Sequence, residues 1–228
     1  MKAICLLSGG IDSPVAVQIA INNGFQPYLL HYHNFPFHSL GTIEKVIEIS
    51  NKIAFTNPDE NINLTVLPHG KSQEIILNQL HGREIRQTCL FCRIQMFRKA
   101  EHYAKKVSAD IIITGEILGE QASQTLSNLP LVTSVIDIPV VRPLIGYNKK
   151  EVVELSKKYG YYHSSILPGG CCSVNPRFPE TQGTKKTIDT IFQRLVTNLD
   201  NSMDEELSQI LEFRLPAETK QILNLINV

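Results

Sequence analysis

The sequence lacks net charge, long apolar runs and internal repeats, and the first two absences bear on the partners and location to expect. Its 22 lysines and arginines balance 22 aspartates and glutamates, so the overall charge predicts no nucleic-acid partner, although a local basic patch could still bind one. No apolar run approaches the length of a membrane-spanning helix, and no basic-then-apolar signal segment opens the chain. We therefore expect a cytoplasmic protein that makes no membrane contact.

Cysteine is also sparse, with five residues in a chain of 228. In a reducing compartment such cysteines are more typical of a buried core, a metal site or catalysis than of disulfides. The chain is long enough for one sizeable α/β core with a small appendage.

The most informative stretch lies near the start of the chain, where residues 6–14 read LLSGGIDSP. An apolar run of strand length, residues 3–7, is followed by Gly9 and Gly10, which allow a sharp turn. Residues 12–14 can cap and begin a helix. A strand, a tight turn and a helix N-terminus together direct several N–H donors and the positive end of the helix dipole at one point. This stretch therefore predicts a phosphate site, although neither Gly-x-x-x-x-Gly-Lys nor Gly-x-Gly-x-x-Gly is present.

Strand and helix signals alternate along the first half of the chain. The patterns predict strands at 3–7, 27–33, 62–67, 111–114 and 140–141, and helices at 13–24, 42–55, 72–80 and 89–107. This alternation indicates an α/β fold, a Rossmann-like parallel sheet of about five strands with helices on both faces. Ligands of such sheets bind at the carboxyl ends of the strands, and every motif of interest falls at such an end.

Two further strand ends carry polar or aromatic residues. The second strand ends in His31, Tyr32 and His33, a position that suits adenosine binding, and we assign no proton transfer to either histidine. The fourth strand continues into residues 114–126, TGEILGEQASQTL, where two glycines, a carboxylate and a polar run exceed what a connecting turn needs.

These motifs together resemble one family of enzymes. Ser-Gly-Gly-x-Asp-Ser at 8–13 resembles the PP-loop of the ATP pyrophosphatases, and 114–125 is similar to the TGE-x-LGQVASQT segment of tRNA 4-thiouridine synthetases. Residues 142–146, RPLIG, and the doublet at 171–172 are similar to further segments of that family. The likeness covers about residues 2–181. It implies a PP-loop ATP pyrophosphatase domain at 1–181, followed by a C-terminal helical extension at 182–228.

The resemblance implies a reaction and a set of site residues. ATP and Mg²⁺ would bind at the PP-loop, the O4 of a tRNA uridine would be adenylated with loss of pyrophosphate, and sulfur would then displace AMP. Phosphate is expected at Ser8, Gly9, Gly10, Asp12 and Ser13, and the nucleotide or target base at Gly115, Ser123 and Gln124. Catalytic roles are implied for Asp12, Cys171 and Cys172, with Cys171 matching the family's sulfur-transfer cysteine.

The remaining cysteines allow several interpretations. Cys89 and Cys92 form a Cys-x-x-Cys at the start of a predicted helix, where both sulfurs share one face and the helix dipole favours thiolate. Some archaeal members of the family resemble this arrangement, which implies an iron–sulfur cluster held by Cys89, Cys92 and Cys171, with Cys172 as a substitute. A zinc site, disulfide or persulfide chemistry and inert packing are the alternatives, and Cys5 is expected in the core.

The expected partners follow from the resemblance and from what it leaves unmatched. No THUMP region or rhodanese domain is recognised, so we expect tRNA to bind with a separate THUMP-type protein, and a sulfur donor to act on the site. Seven basic residues between 83 and 106 suit either an RNA backbone or an ordinary solvated helix face. Apolar stripes after residue 184 predict helices that pack on the sheet or on a second subunit, so a homodimer is a further hypothesis.

Two other functions compete with tRNA thiolation. One is a PP-loop enzyme that adenylates a different, small substrate, which would show exchange of ATP with pyrophosphate in the absence of tRNA. The other is a non-catalytic accessory subunit that binds nucleotide without turnover, and the intact Ser-Gly-Gly-x-Asp-Ser argues against it.

Overall fold

The computed structural model describes residues 1–39, 41–169 and 172–226. The strands are β1 (Lys2–Leu6), β2 (Gln26–His33), β3 (Asn63–Pro68), β4 (Ile111–Ile113), β5 (Val140–Val141) and β6 (Leu211–Arg214). The helices are α1 (Asp12–Asn22), α2 (Gly41–Thr56), α3 (Gly70–Gln79), α4 (Thr88–Val107), α5 (Asn128–Thr133), α6 (Lys149–Lys158), α7 (Tyr162–Ser165), α8 (Lys185–Ser208) and α9 (Thr219–Ile226). Short 3-10 helices cover Gly82–Gln87 and Ala122–Gln124.

The strands form one sheet in the order β5-β4-β1-β2-β3-β6. The first five pair in parallel, which confirms the predicted α/β fold with a parallel sheet. In β1, Cys5 lies opposite Leu29 of β2 on one side and Ile113 of β4 on the other. The chain order reverses direction at β1, and at such a point the connections leave the two neighbouring strand ends apart and open a crevice.

Alternate residues of β1 serve two separate cores. Ala3 and Cys5 face a layer that includes α1, α2, α6 and α9, whereas Ile4 faces a layer that includes α3, α4 and α8. All three side chains are fully buried. Because helices cover both faces of the sheet, its central strands are apolar throughout instead of alternating with polar residues.

The C-terminal part of the chain corrects one prediction. The apolar stripe around Leu211 and Phe213 was expected on a helix, but it forms β6, which pairs antiparallel with β3. These apolar residues alternate with Glu212 and Arg214 at a period of two, which is the periodicity of a strand. The flanking stripes are helical as predicted, in α8 and α9. None of the helices in the described ranges has the length and apolarity needed to cross a bilayer.

Candidate functional site

Two serine side chains of the loop between β1 and α1 accept hydrogen bonds from the loop's own backbone. The backbone N–H of Ser8 donates to Oγ of Ser13 at 3.1 Å, and that of Gly10 donates to Oγ of Ser8 at 3.4 Å. Gly9 adopts a φ of +78°, a conformation that side chains rarely allow. The residue before α1, Ile11, supplies no side-chain cap, so it leaves the N–H groups of the first helical turn uncapped. These donors and the helix dipole make the loop suitable for a phosphate group.

A cavity of about 240 Å³ opens beside this loop at the carboxyl ends of the central strands. Seven of the residues predicted from sequence line it, namely Ser8, Asp12, Ser13, His31, Tyr32, Gly115 and Gln124. The other residues predicted to bind the nucleotide lie outside its lining. Gly9 and Gly10 form the turn, Ser123 is buried in a 3-10 helix, and His33 lines a small neighbouring pocket. The structure therefore brings the PP-loop, the end of β2 and the segment after β4 together around one space.

Gly115 lies in close contact with the first turn of α1. A Cβ atom at this position would lie 2.7 Å from both N and Cα of Ser13. These are backbone atoms, which a rotamer change cannot move away. Only glycine lets the segment after β4 lie this close to the PP-loop helix.

The carboxylate of Asp12 is paired with a lysine that the sequence interpretation missed. Nζ of Lys149 donates to both carboxylate oxygens, at 2.7 and 2.9 Å. Lys149 is the first residue of α6, whose start is fixed by a capping box between Asn148 and Glu151. The capping box predicts a helix start from the sequence, but nothing in the sequence predicts that this lysine binds Asp12.

A second missed feature is a buried cluster of two arginines around one carboxylate. Glu116 accepts from Nε of Arg142 at 2.7 Å, from Oγ1 of Thr114 at 2.7 Å and from Nη2 of Arg93. Its side chain is 4% exposed, and Arg93 and Glu116 both line the cavity. Two guanidinium groups on one carboxylate leave a net positive charge. Nε of Arg93 and Nη2 of Arg142 are buried and find no acceptor within the described residues.

His31 presents a hydrogen-bond acceptor at the base of the cavity. Nδ1 of its ring lies 2.8 Å from the carbonyl oxygen of Leu7. Because a carbonyl only accepts, Nδ1 carries the proton and Nε2 is the lone-pair nitrogen. Nε2 is buried and has no partner in the described part of the chain. Burial lowers the pKa of His31 to about 4, so the ring is neutral near pH 7.

The cysteines of the Cys-x-x-Cys lie on the helix that also carries Arg93 of the cavity wall. Cys89 and Cys92 are in the first turns of α4, and Cys172 is near enough for its charge to influence both. Burial raises the pKa of both thiols, that of Cys92 to about 12, which is opposite to the lowering expected from a helix N-terminus. Cys171 lies outside the described residues. Among the residues that are described, no three His, Cys, Asp or Glu side chains are arranged to hold a metal.

The predicted basic stretch is mostly a paired helix surface. Six of its seven cations form ion pairs with acids, namely Arg86, Arg93, Arg98, Lys99, Lys105 and Lys106. The interpretation as a solvated or internally paired helix face therefore fits α4 better than a continuous strip for an RNA backbone.

A different surface combines positive charge with an exposed aromatic ring. Residues 82, 85, 86 and 176–178 line an open recess of about 430 Å³, which we call the Phe178 surface. Phe178 is 65% exposed, and the guanidinium of Arg177 lies 5.2 Å from its ring centroid. Sγ of Cys89 contacts Oδ1 of Asn175 at 3.7 Å, so this surface adjoins the cysteines.

The chain matches the family described as Thiamine biosynthesis protein (ThiI) over residues 1–196. It is 39% identical to a probable tRNA sulfurtransferase of Acholeplasma laidlawii over 189 residues, which cover 82% of this chain and 45% of the relative. It is 34% identical to a probable tRNA sulfurtransferase of Methanocaldococcus jannaschii over 195 residues, covering 85% and 50%. The chain thus spans about half the length of these curated relatives.

Solved structures agree with these matches. A 4-thiouridine synthetase in complex with RNA and bound ATP superposes with a TM-score of 0.87 at 32% identity, covering 93% of this chain and 55% of that one. An NMN synthetase from Francisella tularensis, with a TM-score of 0.53 at 15% identity, shares the fold alone. Since the family match covers 196 of 228 residues, this chain belongs to the ThiI family.

Proposed function

We propose that this chain catalyses ATP-dependent thiolation of a tRNA uridine, of the 4-thiouridine type. The observation that carries the proposal is that one cavity is lined by the phosphate loop, by Asp12, which pairs with Lys149, and by Arg93 and Glu116. Relatives named tRNA sulfurtransferase and a related 4-thiouridine synthetase with bound ATP support it.

The nucleotide would bind with its phosphates on the PP-loop and its base toward β2. Nε2 of His31 is an acceptor that the exocyclic amino group of adenine can satisfy. The serine hydroxyls and the N-terminus of α1 would hold the phosphates. Gly115 lets the segment after β4 cover the other side of the nucleotide.

In the first step, O4 of the uridine attacks the α-phosphorus of ATP. The bond from that phosphorus to the bridging oxygen breaks, and pyrophosphate leaves. Arg93, which lines the cavity, and Lys149, which binds the cavity-lining Asp12, would stabilise the charge that develops on the phosphate oxygens. Bound Mg²⁺ would neutralise phosphate charge, and the Asp12 carboxylate beside the loop is the oxygen ligand that suits it.

The second step would use the cysteines next to the cavity. Cys89, Cys92 and Cys171, with Cys172 as an alternative, are proposed as ligands of an iron–sulfur cluster. The placement of Cys89 and Cys92 within one turn at the start of α4 supports them as two of these ligands. Such a cluster would supply an iron that can hold sulfide. Sulfur would then displace AMP from the activated uridine, and a persulfide on Cys171 is the competing route.

The RNA would approach over the Phe178 surface. Phe178 offers an aromatic face for a base, and Arg177 offers charge to phosphates. Since Cys89 contacts Asn175, an RNA bound here would lie beside the cysteines. A THUMP-type RNA-binding partner, a sulfur donor, a possible homodimer and a cytoplasmic location belong to the same proposal.

The first test separates the two half-reactions. We expect tRNA to stimulate exchange of labelled pyrophosphate into ATP, Asp12→Ala to abolish that exchange, and Cys171→Ala to retain it while losing thiolation. Exchange that is independent of tRNA would favour the small-substrate alternative, and nucleotide binding without exchange would favour an accessory subunit. Loss of exchange in both variants would contradict the proposed division of roles.

The second test addresses the cysteines. Protein purified without oxygen should absorb visible light and contain iron and sulfide, and a Cys89→Ala, Cys92→Ala double variant should lose both. Protein that stays colourless and iron-free after anaerobic reconstitution would exclude the cluster and leave the persulfide route.

A further inference from the structure

A line of buried charged and polar side chains runs from α8 to Cys92. Glu206 of α8 accepts from Nζ of Lys99 at 2.5 Å, and the same Nζ lies 2.9 Å from Nδ1 of His69. Nε2 of His69 is 3.3 Å from Sγ of Cys92. Lys99 and His69 are 0% exposed and Glu206 is 2% exposed, so water does not replace these contacts.

The donors in this line determine which nitrogen of His69 carries a proton. The ammonium of Lys99 has three N–H bonds, and the structure gives it three neighbours: the carboxylate of Glu206, Nδ1 of His69 and, at 3.3 Å, the carbonyl oxygen of Pro68. A lysine ammonium only donates, so Nδ1 must accept. The proton of the ring then lies on Nε2, the nitrogen that faces Cys92.

We propose that Glu206 and Lys99 hold His69 as a positioning residue that donates its Nε2–H to the sulfur of Cys92. This inference rests on the proposed function, in which Cys92 serves the sulfur step. A donor on the sulfur stabilises negative charge there and fixes its orientation, whether the sulfur is a thiolate or a ligand. Cys92 is partly buried, and this hydrogen bond opposes the cost of removing its sulfur from water.

The inference assigns a role to the C-terminal helix. Glu206 lies beyond residue 196, where the family match ends. It is fixed by Ser72, which donates from its backbone N–H at 3.2 Å and from its hydroxyl at 2.5 Å. The first turn of α3 thus holds the carboxylate of α8 against Lys99, and α8 becomes part of the sulfur site.

The first experiment observes the tautomer directly. Long-range proton–nitrogen NMR spectra of histidine-labelled protein distinguish a ring protonated on Nε2 from one protonated on Nδ1, and His69→Gln assigns the signal. We expect His69 to carry its proton on Nε2. We also expect the Nε2–H resonance to shift in Cys92→Ala and to stay in place in Cys89→Ala. A wild-type ring protonated on Nδ1, or a resonance that ignores the Cys92 substitution, would refute the proposal.

The second experiment tests whether the line of side chains from Glu206 to His69 contributes to sulfur transfer. Lys99→Met with Glu206→Gln removes both buried charges, which avoids leaving one of them unpaired. Lys105→Met makes the same lysine substitution at an exposed position of α4 and is the matched control. We expect thiolation to fall about tenfold in the double variant while pyrophosphate release is unchanged. Equal loss of both half-reactions, or of neither, would contradict a positioning role.

The two proposals fail in different ways. If wild-type protein showed no tRNA-dependent pyrophosphate release, the proposed function would fail, yet the tautomer of His69 would still be observed. If thiolation proceeded and His69 carried its proton on Nδ1, only the proposed role of His69 would be refuted.

Discussion

Replacing Gly115 by alanine tests the close contact on which the nucleotide site depends. The new Cβ would lie 2.7 Å from N and Cα of Ser13 and 2.8 Å from the carbonyl carbon of Asp12. Carbon atoms pack at about 3.5–4.0 Å, so the overlap is on the order of 0.8 Å and involves only backbone atoms. The segment after β4 and the first turn of α1 must therefore move apart.

The cost can be calculated against a matched control. Overpacking of this kind costs about 1–3 kcal/mol of unfolding free energy. A glycine-to-alanine change also reduces the conformational freedom of the unfolded chain. This stabilises the folded protein by about 0.4–1 kcal/mol where alanine can adopt the native backbone conformation. Gly146→Ala isolates that second effect, because a Cβ at Gly146 meets no atom within 4 Å and its φ is not positive. The two variants should therefore differ by about 1–3 kcal/mol in urea unfolding.

The same displacement should weaken ATP binding. Both sides of the nucleotide cavity move, and an error of about 1 Å in such a site can cost about a hundredfold. We expect calorimetric titration to give at least tenfold weaker ATP binding for Gly115→Ala, with Gly146→Ala close to wild type. Equal urea midpoints and equal ATP affinities for the two variants would refute the close-contact argument.

Three further changes test other parts of the site. The unfolded chain takes up a proton at His31 below about pH 6.5, whereas the folded chain does so only near pH 4. As the pH falls between those values, the unfolding free energy of wild type should therefore decrease by about 3 kcal/mol more than that of His31→Gln. Urea titrations measure this difference, and His102→Gln, at an exposed position, is the control that should behave as wild type. Lys149→Met should weaken ATP binding about tenfold, and an unchanged affinity would remove this lysine from the phosphate site. Arg177→Gln should reduce the salt dependence of tRNA binding by about one counterion, whereas Phe178→Ala should weaken binding by about 1–3 kcal/mol with the salt slope unchanged; filter binding across salt concentrations distinguishes them.

Local features of this protein could be read from its sequence, and long-range pairings could not. The strand, turn and helix around residues 6–14 depend on neighbours in the chain, so the pattern there predicts these three elements. The predicted cap is wrong, because α1 begins at Asp12 with Ile11 at its N-cap and no side-chain cap. The partner of Asp12, in contrast, is 137 residues away, and that of Lys99 is 107 residues away. A lysine at a helix start has the same sequence pattern whether it faces solvent or a carboxylate.

Two local sequence patterns were poor guides to the properties of the folded protein, each for a physical reason. The basic run on α4 looked available for RNA, but acids from distant segments neutralise most of it. The helix N-terminus suggested low thiol pKa values, but burial outweighs the dipole at Cys89 and Cys92. Both effects depend on which side chains the fold brings together, and sequence spacing does not contain that information.

The antiparallel strand β6 has a consequence for how the protein is made. Its pairing joins Asn63 to Arg214, so the outer edge of β3 stays uncovered until residues 211–214 have been synthesised. An uncovered strand edge invites pairing with other chains. A protein shortened before residue 211 would keep every phosphate-binding residue described above and would still be prone to aggregate. Strand β6 therefore protects an edge of the sheet, a contribution separate from the chemistry of the site.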